Sequence, residues 1–258
     1  MAPKGRFASI FGPFRLIWLS IEIFYDTAKE AIRRDGLAAL GHPRRIQDVA
    51  VAKLLSKTSD GFIAYEDTTT VPSLVKTAEG KILELGPGPG NQIHRYDQSL
   101  VEFIYAIEPN PNFKDDIAAK VKNHDLQDRY KLISCGVEGS DILRREGITE
   151  GSVDTVLSIQ VLCAVEDVRM VMREVWKLLR PGGKFVFWEH GRSKDAVTAV
   201  TQACWNPAWS TLVGCHMNRD ILTDILAAGE WENPGDVERP DDPHSCLPRT
   251  WGVLIKKA

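Results

Sequence analysis

Apolar residues in the second part of the chain follow two alternating patterns. From residue 81 onward, short runs of Ile, Leu, Val and Phe are separated by segments with helical spacing. The short runs predict strands at 82–85, 103–107, 131–134, 153–158, 184–189 and 250–256. The intervening segments predict helices at 92–96, 112–123, 140–145, 167–179 and 218–228. This alternation indicates an α/β fold whose parallel sheet is covered by helices on both faces.

The first part of the chain is helical in pattern. Gly12 and Pro13 predict the start of a helix, because proline is tolerated in a first turn, and the helix is expected to reach Arg34. Its predicted apolar face consists of Ile10, Phe14, Ile17, Ile21 and Phe24. A second helix is expected at 46–57, an irregular segment at 58–70 and a short helix at 71–78. We therefore divide the chain into an N-terminal helical extension, 1–78, and a main domain, 79–258.

The first helix has three alternative uses. It could pack on the main domain, which is the commonest use of such a helix, or cover an apolar substrate as a lid. It could also lie in a membrane interface through residues 6–25, with basic residues towards the headgroups. The uncharged run 16–21 ends at Glu22 and is too short to span a bilayer. No small-residue cleavage site follows, which argues against a signal peptide.

The composition of the chain indicates its cellular compartment and excludes some classes of binding partner. The formal net charge of −3 over 258 residues argues against general nucleic-acid binding, which needs a basic face. The five cysteines are odd in number and form no C-x-x-C pair, so neither a disulfide framework nor a metal site is expected. Free thiols are typical of a reducing compartment. We expect a cytoplasmic protein, either free or peripheral on an intracellular membrane.

A loop of alternating glycine and proline, "GPGPG", directly follows the first strand of the main domain. A nicotinamide site requires G-x-G-x-x-G, and here the third glycine position is Asn91. Glu84, just before the loop, suits a cationic ligand and repels a pyrophosphate. Glu108 ends the second strand, where a carboxylate can accept both hydroxyls of a ribose. The loop alone could be a plain turn, but together these features indicate a site for S-adenosylmethionine.

Longer stretches carry a family resemblance. Residues 81–190 resemble the class I S-adenosylmethionine-dependent methyltransferases, notably in "GSVDTVLSIQVLCAVED" and "EVWKLLRPGGKFVFWEH". The stretches "LSIQVLCAVED", "FWEHGRS" and "WNPAWSTLVGCHMNRD" are similar to the branch that contains membrane-associated alkyl thiol methyltransferases. The resemblance implies a Rossmann-like sheet of seven strands, mostly parallel with an antiparallel C-terminal strand. It also implies S-adenosylmethionine as cofactor.

Motif positions within the resemblance imply the cofactor contacts of the first two strands. The loop glycines, expected to line the methionine and ribose portions of the cofactor, are Gly86, Gly88 and Gly90. Glu84 is expected to face the cationic end of the cofactor. Glu108 is expected to hold the ribose hydroxyls, with Pro109 beside the adenine.

The third and fourth strands contribute further contacts by the same resemblance. Many relatives place an aspartate after the third strand, where this chain has Gly136. Val137 can still supply a backbone amide to the adenine ring, and Glu138 is a candidate replacement for the carboxylate. An exposed loop charge is the alternative for Glu138. Gln160, after the fourth strand, is expected near the transferable methyl group.

Methyl transfer requires alignment of the acceptor, the methyl group and the sulfonium, together with exclusion of water. A base is needed only when the acceptor holds its proton near neutral pH. His190, at the end of the fifth strand, and His216 are the candidate bases, and a structural histidine is the alternative for each. The resemblance implies methyl transfer to sulfur, oxygen or nitrogen of a small, largely apolar acceptor. The alternative is a rearrangement that uses the cofactor without methyl transfer.

Overall fold

Seven strands form one mixed sheet in the order β3-β2-β1-β4-β5-β7-β6. The computed structural model describes residues 5–240 and 242–258. The strands are β1 (Gly80–Leu85), β2 (Val101–Ile107), β3 (Tyr130–Ile133), β4 (Val153–Ile159), β5 (Leu179–His190), β6 (Val237–Glu238) and β7 (Arg249–Ile255). The first five are parallel, whereas β7 runs antiparallel to β5 and β6 antiparallel to β7. The predicted seven-stranded sheet, mostly parallel with an antiparallel C-terminal strand, is confirmed.

Helices cover both faces of this sheet. They are α1 (Arg6–Asp35), α2 (Pro43–Glu66), α3 (Val71–Val75), α4 (Lys114–Asn123), α5 (Ser140–Arg145), α6 (Val168–Leu178), α7 (Ala196–Leu212) and α8 (Ile221–Leu226). Short 3-10 turns occupy Gly36–Gly41, Ile93–Arg95 and Pro111–Phe113. The predicted helix at 92–96 is therefore a single 3-10 turn.

The central strands β1 and β4 are buried along almost their whole length because both of their faces are covered. Leu83, Val156 and Phe185 pack into the core on one face of the sheet. Ile82 and Leu157, which point the other way, pack into a second core on the opposite face. The central strands β1 and β4 thus lie between two apolar layers, and their carboxyl ends form one edge.

The N-terminal helices differ from their predicted bounds. Pro13 lies inside α1 instead of opening it, because proline removes only one helical hydrogen bond and the buried residue Ile17 packs the following turns onto the protein. α2 continues to Glu66 through the segment predicted to be irregular. Ser59 and Glu66 make long-range hydrogen bonds that hold this second half helical in spite of Gly61. Helix α7 was not predicted at all.

α1 packs against both α2 and α7. Ile17 of α1 and Leu54 of α2 share an apolar cluster with Trp209 and Val213 from the α7 region. The first four residues of the predicted extension 1–78 lie outside the described residues, as do the side chains of residues 6–9. The boundary at residue 78 stays a prediction.

The predicted apolar face of α1 is divided between two sides of the helix. Ile17 is buried, whereas Phe14 and Ile21 are exposed to solvent. The exposed side carries a row of large apolar residues that we call the aromatic stripe: Phe11, Phe14, Trp18, Ile21 and Tyr25. Each of them is between 47% and 66% exposed. Within the described chain, no helix has both the length and the apolar character needed to cross a membrane.

Candidate active site

The order of the strands places a crevice at the carboxyl ends of β1 and β4. The chain leaves β1 towards β2 and β3 on one side, while β4 and β5 lie on the other. In open α/β sheets, ligands bind at such a reversal of strand order. The glycine loop and the loop after β4 both emerge here, as expected from the sequence.

The glycine loop follows β1 with a left-handed backbone at each of its glycines. Gly86, Gly88 and Gly90 have φ values of 48°, 54° and 76°, and residues with a side chain rarely adopt such values. A Cβ atom on Gly86 would lie 2.8 Å from Val161 Cγ1, so the loop packs closely on the segment after β4. A Cβ atom on Gly88 would meet nothing within 4 Å. The middle of the loop therefore leaves room for a ligand against its backbone.

Glu108 joins the end of β2 to the glycine loop. Its Oε2 accepts a hydrogen bond from the Gly88 amide at 3.1 Å, and its Oε1 accepts one from the Asn110 amide at 2.8 Å. Burial raises the pKa of Glu108, while the two amides act in the opposite direction. Pro109, between them, is exposed. Glu108 thus lies directly after β2 and beside the glycine loop, and its contact with a ribose stays a prediction.

Glu84 is buried one residue before the end of β1. Its Oε2 accepts a hydrogen bond from the Tyr130 hydroxyl at 3.2 Å, and the Tyr96 hydroxyl lies near the same carboxylate without completing a bond. Burial raises the pKa of Glu84 to about 7. Its Oε1 has no hydrogen-bond partner among the described residues. A bound cation could satisfy this oxygen, but the contact with Tyr130 was not foreseen.

The segment after β3 contains Val137 and Glu138, the residues predicted to lie at the adenine. Val137 is buried and Glu138 is exposed. The carboxylate of Glu138 turns back over Gly136 and fills the space that a Cβ atom there would occupy. Glu138 thus lies where a side chain at position 136 would project.

Gln160 occupies a strained position directly after β4. Its φ of 62° is left-handed, which is uncommon for a residue with a side chain and is often found at functional sites. Its side-chain amide donates to Glu66 Oε1 at 2.8 Å, so Gln160 is tied to the end of α2.

Glu189 holds the loop after β4 in place. Its Oε1 accepts hydrogen bonds from the Ser158 hydroxyl at 2.8 Å and from the amides of Val161 and Leu162 at 2.9 and 3.2 Å. Burial raises the pKa of Glu189 to about 7. Its side chain therefore binds the loop and does not orient His190.

Helix α2 covers this edge through a buried polar network. Glu66 Oε2 lies 2.6 Å from Arg95 Nη1, and both side chains are almost fully buried. Gln92 donates to the same carboxylate at 3.0 Å. Earlier in α2, Ser59 donates to Asn91 Oδ1 at 2.6 Å. These residues were missed by sequence reasoning because Glu66 lay in a segment predicted to be irregular.

The two candidate bases lie in different surroundings. His190 is buried, and its Nε2 lies 3.6 Å from Cys215 Sγ. His216 is half-buried, with Nδ1 3.3 Å from the side-chain amide of Asn206. Partial burial, followed by the charge of Arg219, lowers the pKa of His216. A lowered pKa favours the neutral imidazole, which keeps a nitrogen lone pair.

The glycine loop and the carboxylates fit the cofactor that the resemblance implies. Gly88 leaves open space against its backbone, Glu108 lies beside it, and Glu84 has an unpaired buried oxygen. These groups could hold a ribose and a cationic end, as S-adenosylmethionine requires.

Comparison with known proteins agrees with this fit. Residues 83–187 match the family described as "Methyltransferase domain". The chain is 31% identical over 203 residues to thiol S-methyltransferase TMT1B of Mus musculus, covering 74% of this chain and 77% of that protein.

Solved structures share the fold at low identity. An O-methyltransferase family protein from Burkholderia thailandensis superposes with a TM-score of 0.59 and 15% identity, covering 94% of this chain and 71% of that chain. The [4+2]-cyclase SpnF superposes with a TM-score of 0.56 and 13% identity, covering 75% and 81%. At such identities the likeness concerns the fold alone, so the cyclase does not favour a rearrangement here.

Proposed function

The chain belongs to the family of S-adenosylmethionine-dependent methyltransferases that includes thiol S-methyltransferase TMT1B, and from this premise we propose that it methylates the sulfur of a small, largely apolar thiol. The observation that carries methyl transfer is the bond from Gly88 to Glu108 at the reversal of strand order. The choice of sulfur is supported by the likeness to TMT1B over most of its length.

The cofactor, when bound, supplies a methyl group already activated by the sulfonium charge. We propose that Glu108 binds the ribose hydroxyls and that the methionine portion of the cofactor lies against the open backbone of Gly88. Gly86 and Gly90 shape the loop. Glu84 faces the cationic end through its unpaired oxygen. Each of these groups binds and orients the cofactor without taking part in bond formation.

The adenine and methyl ends are assigned to the loops after β2, β3 and β4. Pro109 and the amide of Val137 lie beside the adenine, and Glu138 takes the place of a carboxylate at position 136. Gln160 lies beside the methyl group, where its strained backbone is fixed by Glu66. α2 acts as a lid that excludes water from this edge, which supports transfer to a soft acceptor rather than hydrolysis.

A thiol acceptor must lose its proton before or during transfer, because the thiolate is the nucleophile. Of the two candidate bases, His216 has the lowered pKa that suits a neutral base. The Nε2 atom of His190 faces the sulfur of Cys215 and is therefore the weaker candidate for the base.

We also propose that α1 attaches the enzyme to the cytoplasmic surface of an intracellular membrane. The aromatic stripe is exposed while the opposite side of α1 is packed, an arrangement typical of helices that lie in a membrane interface. In this proposal the extension 1–78 has two parts, a membrane-facing α1 and a lid formed by α2.

The acceptor assignment is tested by measuring S-adenosylhomocysteine formation with purified protein. Separate pools of alkyl thiols, phenols and amines would be supplied, and the methylated products identified by mass spectrometry. We expect product in the thiol pool, and about 10- to 100-fold less with Glu108→Ala at a cofactor concentration well below the wild-type dissociation constant. Product only from phenols or amines would overturn the choice of sulfur. Cofactor binding without product in any pool would overturn thiol methylation as proposed.

A further inference from the structure

Three metal-ligating side chains meet at the carboxyl edge of the sheet. Cys163, His190 and Cys215 offer ligand atoms that all lie within 4.8 Å of one another. The distance between Cys215 Sγ and His190 Nε2 is 3.6 Å. With ordinary zinc–sulfur and zinc–nitrogen bond lengths, a tetrahedral zinc ion would hold such atoms about 3.6 Å apart. We call these three residues the Cys-His-Cys cluster.

Backbone contacts fix the three ligands relative to one another. The amide of His216, next to Cys215, donates to the carbonyl of Cys163 at 2.8 Å. Glu189, next to His190, accepts from the amide of Leu162, next to Cys163. The cluster is therefore held by its own scaffold before any ion binds, as a preformed metal site requires.

The donor set and its surroundings suit a soft divalent ion. Two sulfurs and one imidazole select zinc over magnesium or calcium, which prefer oxygen. Trp209 Nε1 donates to Cys215 Sγ at 3.1 Å, a contact that stabilises negative charge on a ligating sulfur. Cys163 and His190 are buried, whereas Cys215 is partly exposed. Three protein ligands are typical of a catalytic zinc site, whose fourth position takes water or substrate.

We propose that the Cys-His-Cys cluster binds one zinc ion and that the sulfur of the acceptor thiol takes the fourth position. This inference rests on the proposed thiol methylation. A free thiol has a pKa of about 8.5 and is mostly protonated at neutral pH, whereas a metal-bound thiol is deprotonated. The two cysteine thiolates offset the zinc charge, which leaves the acceptor sulfur electron-rich. His190 then acts as a ligand and not as a base.

The position of the cluster suits this role. Cys163 Sγ lies 3.6 Å from the carbonyl oxygen of Gln160, the residue that we place beside the transferable methyl group. A thiol bound at the zinc would approach the methyl from the β5 side of this loop. The cluster thus lies next to the reacting atoms rather than in a remote part of the fold.

The step balances without any further reactant. The acceptor thiol releases its proton to solvent when its sulfur binds zinc, so His216 is not needed as a base once the ion is bound. Its sulfur then forms a bond to the methyl carbon as the bond between that carbon and the sulfonium sulfur breaks. The electron pair of the broken bond stays on the departing thioether, S-adenosylhomocysteine. The methylated product is a neutral thioether, which is a weaker ligand than a thiolate and leaves the zinc.

The sequence predicted no metal site because it has no paired cysteines. The three ligands come instead from the segment after β4, from β5 and from the segment after α7, and only the fold brings them together. Zinc motifs that are read from sequence depend on close spacing, which is absent here.

The test measures zinc and thiol binding separately from catalysis. Full-length protein would be purified under a phosphine reductant, and its metal content would be determined by mass spectrometry. We expect about one zinc per chain, reduced more than about tenfold in Cys163→Ser and Cys215→Ser. The control is Cys204→Ser, an exposed cysteine outside the cluster. Circular dichroism of each variant would confirm that loss of metal is not loss of fold.

Cobalt then reports on the fourth position. Co²⁺ exchanged into the site should give the absorption of tetrahedral thiolate coordination, and butane-1-thiol should change that spectrum in the absence of methyl donor. Butanol serves as the control ligand.

Each outcome decides between the two proposals. If metal-free protein methylates thiols at the full rate, the zinc inference is overturned and thiol methylation stands. The same conclusion follows if Co²⁺ binds but its spectrum does not change when the thiol is added. A thiol-sensitive cobalt spectrum with no thiol methylation supports the zinc-thiol site and overturns the proposed function. Isolation of the protein with a disulfide between Cys163 and Cys215 under the same reductant would also overturn the zinc site.

Discussion

Gln160 donates a hydrogen bond to Glu66 at 2.8 Å, and this contact joins the loop after β4 to the last residue of α2. Glu66 also pairs with Arg95 on the segment after the glycine loop. One buried carboxylate therefore connects the N-terminal extension with two of the loops that form the site. Helix α2 and the loops at the carboxyl edge of the sheet are held together by this residue.

Removing Glu66 should destabilise the protein strongly. Glu66→Ala removes the buried partner of the Arg95 guanidinium and leaves Asp67, at 2.7 Å and half exposed, as its remaining carboxylate. Loss of one member of a buried ion pair costs about 3–5 kcal/mol, and the remaining pair with Asp67 places this variant at the lower end of that range. Gln160→Ala removes a single hydrogen bond and should cost about 1 kcal/mol. Urea unfolding would measure both. Glu30→Ala, which breaks an exposed pair with Lys53, is the control and should change nothing measurable. Equal effects of Glu66→Ala and Glu30→Ala would contradict the structural role of this pair.

Glu108→Ala should weaken cofactor binding more than it weakens folding. Hydrogen bonds to a charged group contribute about 1.5–3 kcal/mol, so the dissociation constant for S-adenosylhomocysteine should rise about 10- to 100-fold. Isothermal titration calorimetry would measure it. The control is Glu102→Ala, an exposed carboxylate on the same strand. An unchanged affinity in Glu108→Ala would show that the ribose lies elsewhere.

The parts of this structure that depend on local pattern were predictable. The strands contain short apolar runs that mark their positions, and the glycine loop with Glu84 and Glu108 could be placed by its position relative to β1 and β2. Their chemistry follows from residues close together in the sequence, so the loop, the parallel sheet and the cofactor class could be predicted before the fold was known.

The parts that depend on long-range contacts were not predictable. α2 extends to Glu66 because of partners in the segment after the glycine loop, and Gly61 gave the opposite local signal. The division of α1 into a packed and an exposed side follows from α7, a helix that no clear periodicity marked. The Cys-His-Cys cluster requires three separate segments to converge, which spacing alone could not indicate.

Together with Glu84, whose pKa burial also raises to about 7, ionisation of Glu189 should lower the stability of the protein between about pH 4.5 and 7. The pKa of Glu189 is raised from 4.5 to about 7 in the folded state by burial. A carboxyl group whose pKa is raised on folding stabilises the folded protein in its protonated form. This contribution is complete below the unfolded pKa and is lost as the pH rises through the folded pKa of about 7. A difference of this size corresponds to about 3 kcal/mol.

Glu189→Gln should flatten this pH dependence. The amide keeps an oxygen for the amides of Val161 and Leu162 and cannot ionise. Urea unfolding at several pH values would compare Glu189→Gln with the control Glu102→Gln, which keeps the buried carboxyl groups of both Glu84 and Glu189. Parallel curves for the wild type and Glu189→Gln would show that Glu189 does not carry the pH dependence.

The aromatic stripe of α1 should bind membranes. Fully burying a large apolar side chain stabilises by about 1.5–3 kcal/mol, and partial insertion of several such side chains is enough for reversible attachment. Flotation with phosphatidylcholine vesicles, with and without phosphatidylserine, should recover the wild-type protein with the lipid. In the triple variant Phe11→Ser, Phe14→Ser, Trp18→Ser, the affinity for these vesicles should be more than about tenfold lower than in the wild type. Its unfolding free energy should stay close to that of the wild type, because these side chains are exposed.

A matched control separates the stripe from general surface hydrophobicity. Val197 and Val200 are also exposed apolar residues, but they lie on α7. Val197→Ser with Val200→Ser should float as well as the wild type if α1 makes the contact. Quenching of Trp18 fluorescence by brominated lipid would locate the helix directly, using a Trp18→Phe variant to subtract the signal of the other tryptophans. Equal flotation of the stripe variant and the wild type would leave α1 with packing as its only role.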